Sequence, residues 1–176
     1  MNFRKSEARI MKIIGIVAAD KNWAIGKKNG LLYKLPADMK HFKEVTTGHF
    51  VICGYNTLLS FPKSKPLPNR VTICLAPKEI RRDDCVIVHT LDELLATLKE
   101  IGPDAVFYVI GGGMLYNSML PYYDEVIVTK VDAEDSEATV FFPNLDKNKM
   151  FTIKEESDII KDNDYNIKFV TYERIK

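Results

Sequence analysis

The stretch Leu35-Pro36-Ala37-Asp38-Met39-Lys40-His41-Phe42 holds the carboxylate best placed for chemistry. Proline at a first helical position presets φ and gives up only an amide that has no helical partner. Asp38 then falls at about the third helical residue, where a carboxylate faces the positive end of the helix dipole. Phe42 shares its face one turn on, with Met39 beside it and Leu35 just before the helix. A lone acid is thereby set among apolar neighbours at a helix start. An acid in a first turn is also ordinary helix chemistry, and these residues alone leave both readings open.

Two glycine turns could receive an anion. Val109-Ile110-Gly111-Gly112-Gly113-Met114 joins a strand to a helix and exposes backbone amides without Cβ atoms in the way. It is not the GxGxxG fingerprint, and a tight turn that merely needs glycine is the competing reading. Gly54-Tyr55-Asn56-Thr57 repeats the arrangement at the end of another strand. Ligands of open α/β sheets lie outside the carboxyl ends of strands, so the two turns together favour a dinucleotide more than either does alone. Arg70, just past a Pro-x-Pro-Asn turn, is a cation at a strand start, or equally a surface charge. His41, His49 and His89 are scattered, no cluster has metal-ligand spacing, and no nucleophile has a partnering base.

The elements that must hold these residues alternate. Lys12–Ala19 is a nearly continuous apolar run, as expected of a strand buried on both faces. Asp20 to Lys34 reads as a long loop of the kind that covers a site. His49–Cys53, Arg70–Leu75, Cys85–His89, Val106–Ile110 and Glu125–Val131 read as strands, with helices at Tyr55–Ser60 and Met114–Leu120. Thr90 and Glu93 form a capping box for a helix whose stripe is Leu91, Leu94, Leu95 and Leu98, stopped by Gly102-Pro103. Phe151–Glu155 and Asn166–Arg174 close the chain as antiparallel-looking strands. The pattern predicts an α/β fold: a central, mostly parallel mixed β-sheet with an antiparallel C-terminal edge strand, flanked by about four helices.

With 176 residues, 46% hydrophobic and 28% charged, the chain suits a single domain over residues 11–176. Residues 1–10 read as a mobile N-terminal extension, an upstream start or an expression remnant, without the apolar core of a secretory signal. A net charge of +1 gives no footprint for nucleic acid or an anionic membrane. No run reaches the ~20 apolar residues of a membrane span. Cys53, Cys74 and Cys85 read as core thiols in a reducing compartment, hence a cytoplasmic protein.

Placed in order, these segments resemble the dihydrofolate reductase family, of a divergent bacterial type, over about Lys12 to Arg174. They are Ile13–Ala19, Trp23-Ala24-Ile25-Gly26, Leu35-Pro36-x-Asp38-x-x-x-Phe42, Val51-Ile52-Cys53-Gly54 with Thr57, and Pro66-Leu67-Pro68-Asn69-Arg70. Val109-Ile110-Gly111-Gly112-Gly113 with Tyr116, Val128-Thr129-x-Val131-Asp132, and Phe141-Phe142-Pro143 follow in register.

The resemblance implies reduction of dihydrofolate to tetrahydrofolate for one-carbon metabolism, by hydride from NADPH, in a pocket of the kind antifolates target. It makes Asp38, Tyr33 and Thr129 the catalytic set, with Asp38 binding the pterin and helping to deliver a proton. Ile16, Met39, Phe42 and Leu67, with Leu59 and Phe61 nearby, would line the substrate pocket, and Arg70 would pair the substrate α-carboxylate. Ala18, Ile25 and Gly26 would hold the nicotinamide. Gly54, Tyr55, Asn56, Thr57, Leu75 and Ala76 would hold the cofactor with Ile110, Gly111, Gly112, Gly113, Met114, Leu115 and Tyr116. A monomer is expected, with a homodimer left open.

The chain also departs from the family pattern. Leu32-Tyr33 stands where Pro-Trp is usual. Tyr55, Ala76-Pro77 and Met114 occupy places where many members carry ligands for the cofactor's 2′-phosphate, so NADH is admitted beside NADPH, with Lys78, Arg81 or Arg82 as substitutes. The acid usual before Thr-x-Phe-Pro is missing, leaving Thr139-Val140. Two rival readings are a riboflavin-pathway pyrimidine reductase, which lacks Leu-Pro-x-Asp with Phe one turn later, and a pterin- and nucleotide-binding module without turnover.

Overall fold

The run of β-branched residues near the start folds as a strand that the sheet covers on both sides. In a computed structural model describing residues 11–28 and 30–176, strand β1 is Lys12–Ala19, with Ile13, Ile14, Ile16 and Val17 buried. A short β2 (Ala24–Gly26) lies in the loop that follows, and helix α1 (Pro36–Thr46) leads to β3 (Phe50–Gly54) and α2 (Tyr55–Ser60). Strands β4 (Val71–Leu75) and β5 (Val86–Val88), helix α3 (Leu91–Ile101), β6 (Val106–Gly111), α4 (Gly113–Ser118) and β7 (Glu125–Val131) come next. The chain closes with β8 (Val140–Phe141), β9 (Phe151–Glu156), β10 (Ile160–Asp162) and β11 (Tyr165–Arg174). The extension expected at residues 1–10 lies outside the described residues.

The main sheet runs β10-β11-β7-β1-β6-β3-β4-β5, with β9 also paired to β11. Every pairing from β7 to β5 is parallel, and β11 joins β7 antiparallel. The carboxyl ends of β1, β3, β4 and β6 therefore point the same way, and α2 and α4 start directly from two of them. Such a sheet must be covered on both faces, which accounts for the unbroken apolar runs in its central strands.

Local signals set α3 and its neighbours. Thr90 Oγ1 accepts the Glu93 amide at 3.1 Å, and the Glu93 carboxylate accepts the His89 amide at 2.7 Å, one residue before the cap. Gly102 closes α3 at φ 109°, a conformation that favours glycine. Two expectations change. The helix placed at Met114–Leu120 begins at Gly113 and ends at Ser118, because Pro121 converts the continuation into a 3₁₀ turn, Leu120–Tyr122. The cover loop is not wholly irregular: β2 pairs antiparallel with β8 in a separate two-stranded sheet.

Candidate active site

Strand β7 fixes the site. Thr129 lies on it between Ala18 of β1 and Phe169 of β11, and is 2% exposed. Its hydroxyl donates to Asp38 Oδ1 at 2.5 Å, tying the first turn of α1 to the middle of the sheet. Leu35, just before the helix, is buried and offers no side-chain cap. The amides of Ala37 and Asp38 donate instead to the carboxylate of Asp162, at 3.0 and 3.2 Å. Sequence reasoning missed Asp162, whose partners lie 124 and 125 residues away.

The Asp38 carboxyl is held above its ordinary range. Burial is the main cause and the Asp162 charge adds to it, against the Thr129 bond and the charge of His41. The first-turn amides that would favour the ionised form are already taken by Asp162. His41, one turn on, is pushed down by burial and stacks on Phe169 with ring centres 4.0 Å apart.

Asp38 opens onto a cleft of about 850 Å³. Ile16, Ala18, Met39 and Phe42 line it as expected, and so do Ile25, Gly26, Asn56 and Thr57. Ile110, Gly111, Gly112, Gly113 and Tyr116, also expected, line it too. Tyr116 is anchored by its hydroxyl, which donates to the Ile16 carbonyl at 2.7 Å. Gly113 lies tight against its neighbour, since a Cβ there would sit 2.5 Å from Val140 Cγ1, whereas one on Gly112 would meet Thr57 Oγ1 at an ordinary 3.5 Å. Thr57, Thr139, Lys28 and the glycine turn line the same space, residue types that can supply donors to an anionic diphosphate.

Other expected residues stand off the cleft. Gly54, Tyr55, Leu75, Ala76 and Leu115 do not line it; Leu115 is in the main core and Ala76 in a satellite cluster with Leu58 and Cys53. Met114 points to solvent at 88% exposure, because α4 turns its apolar face to the core through Leu115 and Tyr116 instead. Leu67, Leu59 and Phe61 do not line it either. Arg70 is outside it too, with its guanidinium on the Pro68 carbonyl at 2.9 Å and the Thr46 hydroxyl at 3.2 Å. Among the described residues no carboxylate pairs with that guanidinium, and burial lowers its pKa.

Tyr33 lines a smaller cavity of about 100 Å³ that shares Ala18, Ile25, Asp38 and Met39 with the cleft. Its hydroxyl donates to Asp20 Oδ2 at 2.7 Å, so the phenol serves the loop rather than Asp38. Asp20 also accepts the Asn22 and Ala24 amides and is 5% exposed. An aspartate after a strand and two residues before an asparagine turn carries an Asx-turn signal that could have revealed it. The loop is latched by β2–β8 pairing, by the Thr139 amide on the Gly26 carbonyl at 3.0 Å, and by a Lys27–Asp135 ion pair at 3.2 Å. Lys27, Lys28, Leu31, Thr139 and Val140 line the cleft without having been foreseen.

Comparison with known proteins adds to this geometry. The family model for dihydrofolate reductase matches residues 12–174. A dihydrofolate reductase of Bacillus subtilis (strain 168) is 35% identical, covering 90% of this chain and 92% of the relative. One from Staphylococcus haemolyticus is 34% identical over 94% of this chain and 98% of that protein. The solved dihydrofolate reductase from Enterococcus faecalis, complexed with NADP(H) and RAB-propyl, superposes with a TM-score of 0.81 at 27% identity, covering 94% of this chain and 97% of that one.

The buried acid makes a stability prediction. Its folded-state pKa is raised, so its contribution is full below the unfolded value and lost as pH rises through the folded one. Asn at this position keeps an acceptor for Thr129 and removes the charge. Asp38→Asn is expected to raise Tm by about 2–4 °C near pH ~8, with the gain shrinking toward zero as pH falls to about 4. Calorimetry at several pH values checks it; a gain independent of pH contradicts it.

Proposed function

The chain belongs to the dihydrofolate reductase family, and from that premise we propose that it reduces 7,8-dihydrofolate to 5,6,7,8-tetrahydrofolate. The observation that carries the reading is the half-buried Asp38, clamped by Thr129 and opening onto the cleft beside the glycine turn. A nicotinamide cofactor supplies hydride to pterin C6 when bound. Its pyrophosphate fits the Gly111–Gly113 turn with Asn56 and Thr57, where any added Cβ on Gly113 would collide with Val140.

Asp38 accepts hydrogen bonds from the pterin 2-amino group and N3, and passes a proton toward N5 through water. Its raised pKa keeps the protonated form available nearer to neutral pH than an ordinary aspartate would. Thr129 fixes one carboxyl oxygen, leaving the other for the pterin. Ile16, Met39 and Phe42 supply apolar walls. Arg70, oriented by Pro68 and Thr46, offers its remaining N–H groups to the substrate α-carboxylate. The latched loop through Ile25 and Gly26 shields the reacting centre from water.

Cofactor choice rests on the edge beyond β4. Tyr55 and Ala76-Pro77 bring no cation there; Arg82 is held by Asp84 at 2.7 Å, and Arg81 bonds the Lys78 and Ile80 carbonyls. NADPH is the proposed donor, with a weaker preference over NADH than is usual for the family.

Two measurements test this reading. Purified protein with NADPH and dihydrofolate is expected to consume nicotinamide absorbance, and Asp38→Asn is expected to lose roughly 10²-fold or more in kcat/KM. Absent turnover by wild type would defeat the activity; an unaffected Asp38→Asn would defeat the mechanism. The ratio of kcat/KM for NADPH over NADH is expected below about a thousandfold, ~4 kcal/mol; a larger ratio contradicts the weakened preference.

A further inference from the structure

Asp162 is an acid that the mechanism above does not use. It is 5% exposed, and among the described residues it forms no ion pair with a lysine, arginine or histidine. Its carboxylate takes the Ala37 amide on both oxygens, at 3.1 and 3.0 Å, and the Asp38 amide at 3.2 Å. An uncompensated buried carboxylate is costly unless donors surround it, and here the donors are the orphan amides of a helix first turn.

The hairpin carrying it grips the same segment at two further points. Asn163, at φ 53° in the turn, donates through Nδ2 to the Lys34 carbonyl at 2.9 Å. Tyr165, which pairs with Asp162 across the hairpin, packs edge-on against Tyr33 with ring centres 4.9 Å apart. Leu35 offers no cap of its own, so α1 takes its cap from β10.

The capping acid also acts through space. The groups that face Asp38 are the Thr129 hydroxyl from β7, His41 from α1 itself, Tyr116 from α4 and Asp162 from β10. Asp162 is the second carboxylate in that set, and its charge opposes ionisation of Asp38. Without it, the first turn would present free amides and a positive dipole end to the reactive carboxyl, both of which favour the ionised form.

We propose that Asp162 is a positioning residue for the reaction: from the neighbouring hairpin it takes the Ala37 and Asp38 amides, fixes the first turn of α1 and sets a second carboxylate beside the reactive one. The inference rests on the reading of Asp38 as the pterin-binding acid. Asp162 does not line the cleft; it acts through the helix start and Asp38.

The test is the pH profile of kcat/KM for dihydrofolate at saturating NADPH, from about pH 5 to about pH 9. Asp162→Asn keeps an acceptor and loses the charge. Its alkaline limb is expected to move toward acid, so that kcat/KM falls roughly threefold or more at the alkaline end while the acid plateau holds. Asp164→Asn removes the same charge from an exposed position of the same turn and is expected to leave the profile unchanged. If Asp162→Asn does not fold, Asp162→Ser keeps a short capping hydroxyl without charge and is read the same way. A purely structural cap would lower plateau and limb by one factor with the midpoint in place, and that result overturns the proposal. Asp38→Asn run in parallel separates the two levels: if it keeps full turnover, the reading of Asp38 falls, whereas its loss beside an unmoved Asp162→Asn midpoint overturns the Asp162 role alone.

Discussion

The hydrogen bond from Thr129 to Asp38 is the contact on which the site depends. It joins a helix that starts at a proline to a strand that cannot move, because β7 is bonded to β1 on one side and β11 on the other. The burial that makes the acid unusual accompanies that union. The carboxyl is drawn out of water against Ile16 and Phe42, loses solvation, and is pushed toward its protonated form. A surface helix with the same octapeptide would carry an ordinary aspartate.

Three carboxylates hold the loop, the helix start and the site, and their partners divide the labour. Asp20 takes the Asn22 and Ala24 amides and the Tyr33 hydroxyl, and thereby shapes the loop. Asp162 takes the first-turn amides and shapes the helix. Among the described residues Asp38 has one side-chain donor, Thr129, which leaves an oxygen for the cleft. The loop in turn is closed without the acid usual before Thr-x-Phe-Pro: Thr139 contributes its amide, and Lys27 reaches Asp135. That ion pair is part-exposed, so the β2–β8 backbone bonds carry more of the closure than the charges do.

What could be read from the sequence was what local patterns encode. β1, α1, α2, β7 and the α3 cap follow from apolar runs, a proline, a strand-end glycine and a Thr-x-x-Glu box, and they stand where those signals put them. Asp38, Thr129 and the glycine turn also come together as the resemblance implied. The misses are long-range. β8 is two residues long and β10 three, and neither has a periodicity to detect. Asp162 reaches across more than a hundred residues to Ala37. Tyr33 stands where the family pattern has Trp, and its hydroxyl answers to Asp20, an acid marked in the sequence only by its Asx-turn spacing. Met114 follows three glycines in sequence and yet faces solvent, since α4 has a single apolar side to bury.

The central claim is that the fold holds Asp38 protonated above the range of an ordinary aspartate. Its carboxyl ¹³C resonance, assigned by its disappearance in Asp38→Asn and followed across a pH titration, reads that state directly. The structure predicts a midpoint clearly above the ~3.9 of a free aspartate. A midpoint at or below that value would contradict the account, because Thr129 and the helix end would then outweigh burial.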